Sequence, residues 1–470
     1  MQKFAVFLDS VMNERDERVI GITESLCPVC LDRIPARRIV VDEDVYLDKT
    51  CRNHGNFRTI IWRGRPSYES WSVPKLPSRP PVCGTNVERG CPFDCGLCPE
   101  HRQHTCCVLL EITQRCNLNC PVCFARAGGD SHDPDIRTIE SWYRLLMESG
   151  GPYNIQLSGG EPTLRDDIPE IISLGRSLGY SFFQLNTNGL RLAKDNGYAR
   201  SLKEAGLNCV FLQFDGTNDE IYRKIRGDGL LRVKESAILN CGKHNLGVVL
   251  VPTLMPGVNT DDIGKIIEFA VGMMPTVRGV HFQPVSYFGR YDSEPTDSGR
   301  LTVPEVITKI ERQTGGRLKV KDFHSPSAEN AYCSFSGNFV LMSDGELKTW
   351  RKEGNSCCCS PQVAADGAKK SQFFVARKWS ASADNDVADK IDCGSFMKVD
   401  SLDAFLERVE KFSLCVSGMA FQDAWNIDLE RLRECFIHVV SPDNRIIPFC
   451  AFNLTGADGK SLYRSQSAHL

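Results

Sequence analysis

The chain has 470 residues, 41% hydrophobic and 24% charged, with a net charge of −3 and a pI near 6.3. That length suits two or three domains with a sizeable core. The balanced charge excludes the basic footprint of a nucleic-acid binder. No run of eighteen apolar residues occurs, and the N-terminus MQKFAVFLDSVMNERDER turns charged too early for a signal peptide, so a cytoplasmic, reducing setting is expected.

In that setting the 22 cysteines ask for metal rather than for disulfides. Residues 1–80 read as an N-terminal metal ribbon and linker. Cys27 and Cys30 in LCPVC, and Cys51 and His54 in CRNHG, offer two ligands each, separated by β-type sequence such as RRIVVDEDVYL. Four ligands form a closed, structural set for one tetrahedral ion, zinc or mononuclear iron. RPSYESWSVPKLPSRPP then reads as extended linker.

Residues 81–106 carry GCPFDCGLC, in which Cys91, Cys95 and Cys98 are spaced Cys-x3-Cys-x2-Cys. The same spacing returns in CNLNCPVC as Cys116, Cys120 and Cys123. Over 107–300, strand candidates CVLLEIT, NIQLSGG, FFQLNTNG, CVFLQFDG, GVVLVPTLMPG and VRGVHFQPV alternate with helical stretches. IRTIESWYRLLMES, for example, puts Ile136, Ile139, Trp142 and Leu145 on one face. Six β/α units imply an α/β fold, a partial (β/α)6 TIM-like barrel whose chemistry lies at the C-terminal ends of its strands. CNLNCPVC follows the first strand and GGEP ends the second, so both sit at the mouth. Cys209 and Cys241 are expected in the core.

Residues 301–470 read as a C-terminal cysteine-containing region with an irregular insertion over 354–400. The Cys-Cys-Cys at 357–359 is incidental, and order returns with SLDAFLERVEKFSL, capped by Ser401. Cys333, Cys415, Cys435 and Cys450 are candidates for a further cluster; separate buried thiols acting as small hydrophobes are the alternative.

A cubane iron–sulfur cluster takes one thiolate per iron, so Cys116, Cys120 and Cys123 leave one iron open. This triplet after a first barrel strand, with GGEP ending the second, resembles the radical S-adenosylmethionine (SAM) superfamily over about residues 105–290. The resemblance implies that a 4Fe-4S cluster on these three cysteines binds SAM. An electron then cleaves SAM to methionine and a 5′-deoxyadenosyl radical that takes a hydrogen atom from substrate. By position, Gly159, Gly160, Glu161 and Pro162 are expected at the methionine amino group, and Asn186 and Asn188 at the ribose. Gln213 and Asp215 end the fourth strand, where a serine is frequent in the family, and Asn259 is a weaker candidate.

Cys91, Cys95 and Cys98 precede the barrel, so they are expected to hold a closed auxiliary 4Fe-4S cluster with Cys106, Cys107 or Cys83 as fourth ligand. The full order of motifs, through to RIIPFCAFN, resembles one branch containing archaeal hydroxymethylpterin methyltransferases and tetraether lipid synthases. That branch implies chemistry at unactivated carbon, with an electron donor such as ferredoxin or flavodoxin. Carbon–carbon joining of lipid chains, with transient membrane contact, is the first expectation. Methylation of a pterin, and a non-catalytic metal-stabilised binding protein, are the alternatives.

Overall fold

A computed structural model describes residues 17–128, 132–291, 293–350, 361–381 and 402–464. Ser401 and the cysteines at 357–359 lie outside them. The chain opens with an antiparallel ribbon of β1 (Glu17–Leu26), β2 (Arg33–Val41), β3 (Asp44–Cys51) and β4 (Gly55–Trp62). Ala36 of β2 and the alternating Val45, Leu47 and Lys49 of β3 bury its inner face. Polar contacts fasten it to the far end of the chain: Arg38 Nε donates to Asp428 Oδ2 at 2.8 Å and Thr23 Oγ1 to Asp428 Oδ1 at 2.8 Å. The buried Lys49 ammonium donates to Ser25 Oγ and to the carbonyls of Leu26 and Ala424. The short β5 (Lys75–Leu76) follows.

The six expected barrel strands all form, as β6 (Cys107–Thr113), β7 (Asn154–Gly159), β8 (Phe183–Thr187), β9 (Cys209–Gln213), β10 (Gly247–Val251) and β12 (Val277–Pro284). They pair in parallel in that order, and the two-residue β11 (Thr253–Leu254) adds to β12. Val108, Leu110 and Ile112 of β6 face the outer helices, where they meet Ile139, Trp142 and Leu146 in the main core. The alternate residues turn into the lumen.

The C-terminal region completes this sheet. β13 (Ser334–Leu341) and β14 (Leu347–Thr349) form an antiparallel edge; β15 (Gln362–Val363) pairs with β5. β16 (Ser413–Met419) joins β12 in parallel, while β17 (Ile437–Val440) joins β6 in parallel at the opposite edge and pairs with β18 (Ile446–Pro448). Eight neighbouring strands, β16-β12-β10-β9-β8-β7-β6-β17, are therefore parallel.

The irregular insertion expected over 354–400 is not what 361–381 forms. Ala364–Trp379 is a sixteen-residue helix lying across the N-terminal ends of the barrel strands. Asn154 Nδ2 at the start of β7 donates to Gln372 O, Arg278 in β12 to Lys378 O, and Lys378 Nζ to Ser413 Oγ at the start of β16. Gly247 at the start of β10 has no side chain because a Cβ there would collide with Trp379 O. The helix stops the base of the barrel, and Trp379 packs on Phe182, Phe211 and Val249.

Candidate active site

The second thiol triplet lies on the loop leaving β6, and the backbone of Arg290 holds it. Cys123 and Arg290 exchange N–H···O bonds of 2.9 and 3.0 Å, and Arg290 Nε donates to Cys120 O at 2.9 Å. The close approach needs Gly289: its φ is +58°, and a Cβ would stand 2.7 Å from Cys123 O. Leu118 N–H points at Cys116 Sγ, 3.4 Å away. Burial, then the neighbouring Glu161, Cys120 and Cys123, push the Cys116 thiol up to about 11. Neighbouring thiolates repel one another, and an iron cluster reverses that balance by supplying positive charge. The other cysteines lining the lumen, Cys106 and Cys107, lie at the start of β6, its far end, about 20 Å from the mouth at strand rise. The donor set at the mouth is three thiols, which fits a cubane with one open iron.

The GGEP turn is locked against this loop. Gly160 N donates to Thr113 O and Glu161 N to Arg115 O, each at 2.8 Å. Side chains at Gly159, with φ +121°, or at Gly160 would strike those same carbonyls. Glu161 is 1% exposed; its Oε1 accepts from Thr163 N and from the Thr163 and Thr187 hydroxyls, and its Oε2 from Asn188 N. It ties the end of β7 to the end of β8. Gly159, Gly160 and Glu161 line the lumen; Pro162 starts the following 3-10 turn behind them.

Asn186 and Asn188 both line the cavity, with Asn188 Nδ2 donating to Asn117 Oδ1 on the cysteine loop at 2.8 Å. Gln213 lines it too. Asp215 does not: fully buried, it binds Arg226 bidentately at 2.7 and 2.8 Å and accepts from Thr253 N. Asn259 also faces inward to the protein, donating to the carbonyls of Asp215 and Thr253. The sequence expectation that Asp215 meets the cofactor is thereby corrected: a strand end followed by a cation-bearing helix turns the carboxylate to its own partner. The group that Asp215 presents is Arg226, which lines the cavity and reaches the Cys120 thiol. Lys234 lies close by, fully buried, its Nζ donating to Asn188 O at 2.6 Å, and burial pulls its pKa down to about 8. Both cations escaped the sequence reading, although a buried carboxylate at a strand end requires a partner.

The lumen is a cavity of about 300 Å³. It runs from the triplet, past Ser158, Asn186 and Gln283, down to Phe211 and Trp379.

At the ribbon tip Cys27, Cys30, Cys51 and His54 place their ligand atoms within 4.8 Å of one another. Cys30 Sγ lies 3.9 Å from Cys51 Sγ, and His54 Nδ1 lies 3.5 Å from both Cys27 and Cys51. Tetrahedral zinc at its usual thiolate distance requires sulfurs about 3.8 Å apart, so the four donors fit one mononuclear ion. The N–H of Asn53, first, and His54 pull the Cys51 thiol down to about 6, as a metal ligand needs.

The first triplet also gathers. The Cys91 thiol meets that of Cys95, with Cys98 near, and Cys95 N donates to Tyr463 Oη at 3.1 Å. Cys106 is not with them: it immediately precedes β6, its N–H bonds Phe436 O, and its thiol sits against Cys107 and near Glu329. Cys83 is exposed. In the C-terminal region Cys435 is within electrostatic reach of Cys450 and Cys333, and donors reach two of the thiols, Arg431 Nη2 to Cys333 Sγ and Gln422 N to Cys450 Sγ, both at 3.3 Å. Cys415 is not part of this group. It lies four residues before Met419, the partner of Ser334, hence about 13 Å back along β16, against Ser417 and the Trp379 indole. Cys209 and Cys241 are buried in the core.

The fold and the site define a radical SAM enzyme. Residues 110–270 match the model of the radical SAM superfamily, and residues 19–63 match the zinc ribbon found at the N-terminus of HMPTM proteins. The chain belongs to the radical SAM superfamily, in the branch of the 7,8-dihydro-6-hydroxymethylpterin dimethyltransferase of Methanocaldococcus jannaschii, to which it is 37% identical across 92% of its own length and 93% of the relative's. A probable GTP 3′,8-cyclase of the same organism is 30% identical over 51% of this chain and 82% of its own. Among solved structures, anSMEcpe with bound AdoMet and a peptide is 22% identical, covering 46% of this chain and 63% of that one with a TM-score of 0.36. The relative that spans the chain carries the pterin alternative, not the lipid joining expected first. Among the described residues no helix is long and apolar enough to cross a membrane.

Proposed function

We propose that this enzyme is a radical SAM methyltransferase acting on a hydroxymethylpterin. The observation that carries the reading is the match to a protein of that activity over 92% of this chain and 93% of the relative, ribbon and barrel included. A lumen of about 300 Å³ at the low end of small-molecule pockets supports it. When bound at Cys116, Cys120 and Cys123, the 4Fe-4S cluster and SAM supply an electron and a carbon radical able to take hydrogen from an unactivated position.

The chain's own residues bind and orient. The turn at Gly159 and Gly160 lines the mouth, and Glu161 fixes that turn rather than ionically pairing with a ligand. Asn186 and Asn188 offer amides at the end of β8 for the ribose, and Gln213 continues the rim on β9. Arg226, aimed by Asp215, is the cation placed for the methionine carboxylate. Cys91, Cys95 and Cys98, and separately Cys333, Cys435 and Cys450, hold auxiliary clusters that relay electrons from a ferredoxin- or flavodoxin-like donor. The ribbon holds zinc.

Anaerobic, reconstituted protein given SAM, reductant and deuterated 7,8-dihydro-6-hydroxymethylpterin tests the reading. Deuterium should appear in 5′-deoxyadenosine, formed faster with the pterin than without it. Transfer of no label, with unaltered 5′-deoxyadenosine yield, would overturn the pterin as substrate.

A further inference from the structure

Below the mouth the lining changes character. Gln156 on β7 and Gln184 on β8 stand opposite one another in register, and both line the lumen. Each uses its amide N–H locally: Gln184 Nε2 donates to Asn186 Oδ1 at 2.8 Å and Gln156 Nε2 to Cys107 Sγ at 3.3 Å. The Gln184 side chain is fully buried, and among the described residues its Oε1 has no hydrogen-bond partner. A buried acceptor left without a donor is destabilising, because it has given up its hydrogen bond to water without replacement. The Gln184 side chain lines the cavity, where a ligand N–H within reach of its amide removes that cost.

Beneath it the lumen ends on flat rings. Trp379, carried by the helix that stops the base, lies 4.8 Å from Phe211 between ring centroids, and His281 lies 5.7 Å from Phe211. His281 Nδ1 is engaged with Ser417 Oγ at 2.9 Å. A long alkyl chain suits neither feature: it buries Gln184 Oε1 against methylenes and runs into the indole. A flat heterocycle satisfies both, with an edge N–H on the amide oxygen and a face against the rings.

We propose that Gln184, together with the Trp379–Phe211 floor, forms the substrate seat and selects a compact planar nitrogen heterocycle through an N–H donor on its edge. The proposal rests on the methyltransferase reading but names the residues that choose the substrate. It also gives the helix Ala364–Trp379 a role, that of setting how deep the lumen runs.

Binding to full-length, cluster-loaded protein with SAM present tests it, using three probes: 7,8-dihydro-6-hydroxymethylpterin, guanine and decanoate. Wild type should bind the pterin and exclude decanoate. Q184L should weaken pterin binding at least tenfold, W379A should weaken it and admit decanoate, and W379F should restore most of the affinity. Iron content and melting temperature verify that each variant folds; Q184M replaces Q184L if the latter does not. Gln184-dependent binding of guanine without binding of the pterin would retain the seat and remove the pterin reading. The seat is overturned if no heterocycle binds, if decanoate binds wild type as tightly as the heterocycles do, or if neither Gln184 nor Trp379 substitution changes heterocycle affinity.

Discussion

Arg226 reaches the lumen beside Cys120 because Asp215 holds it by two nitrogens and Thr253 takes a further bond from Nη2. The pair is largely desolvated, so its Coulomb attraction offsets a large dehydration cost only while both partners remain. Asp215→Ala should therefore destabilise the protein by about 3–5 kcal/mol, read as a lowered denaturation midpoint. It should also raise the SAM concentration needed for half-maximal turnover. His281 makes a different prediction. Burial pulls its pKa down to about 4, against about 6.5 for an ordinary imidazole. Between these values the unfolded chain holds a proton that the native chain does not, so stability is full above pH 6.5 and is lost as pH falls toward 4. Moving from pH 7.5 to 5.5 should cost wild type about 1.3 kcal/mol more than a His281→Gln variant. Equal losses in the two proteins would show that the buried imidazole titrates normally.

The ribbon and the floor helix are elements whose sequences were unequally readable. The ligand set of the ribbon was legible to the residue, because Cys27, Cys30, Cys51 and His54 announce their chemistry by spacing alone; its strands were legible only in part, since β3 alternates along its length while β1 carries a register shift at Val19–Gly21. Metal should therefore govern it. Cys51→Ala should remove one equivalent of zinc and expose residues 19–63 to limited proteolysis while the barrel stays resistant; cleavage beginning in the barrel would contradict this. The helix Ala364–Trp379 was hidden, although Ala364, Ala368, Val375 and Trp379 recur at helical spacing. The neighbouring cysteine-rich and polar text outweighed four apolar positions. Moreover, its burial depends on strand starts contributed by residues 154, 247, 278 and 413, which no local pattern reveals.

At the scale of the whole molecule, the six β/α units could be read one by one, since each is a local alternation of apolar strand and amphipathic helix. What could not be read was that the C-terminal region returns twice to the same sheet, placing β16 beside β12 and β17 beside β6. Those pairings join residues more than a hundred positions apart and carry no signature within either segment. Cysteine partnerships failed for the same reason: Cys415 and Cys106 have the right chemistry but strand positions that point them elsewhere. The parallel core so assembled keeps the thiol triplet, the GGEP turn and the ends of β8 and β9 around one opening, with a blind aromatic base below.

The measurement that bears most directly on this arrangement is low-temperature electron paramagnetic resonance of the reduced, reconstituted enzyme with and without SAM. SAM should shift the signal of one cluster, and Cys120→Ala should abolish both that shift and 5′-deoxyadenosine formation while leaving the auxiliary signals in place. A spectrum indifferent to SAM, or a Cys120→Ala protein that still cleaves it, would contradict an open iron at the mouth of this barrel.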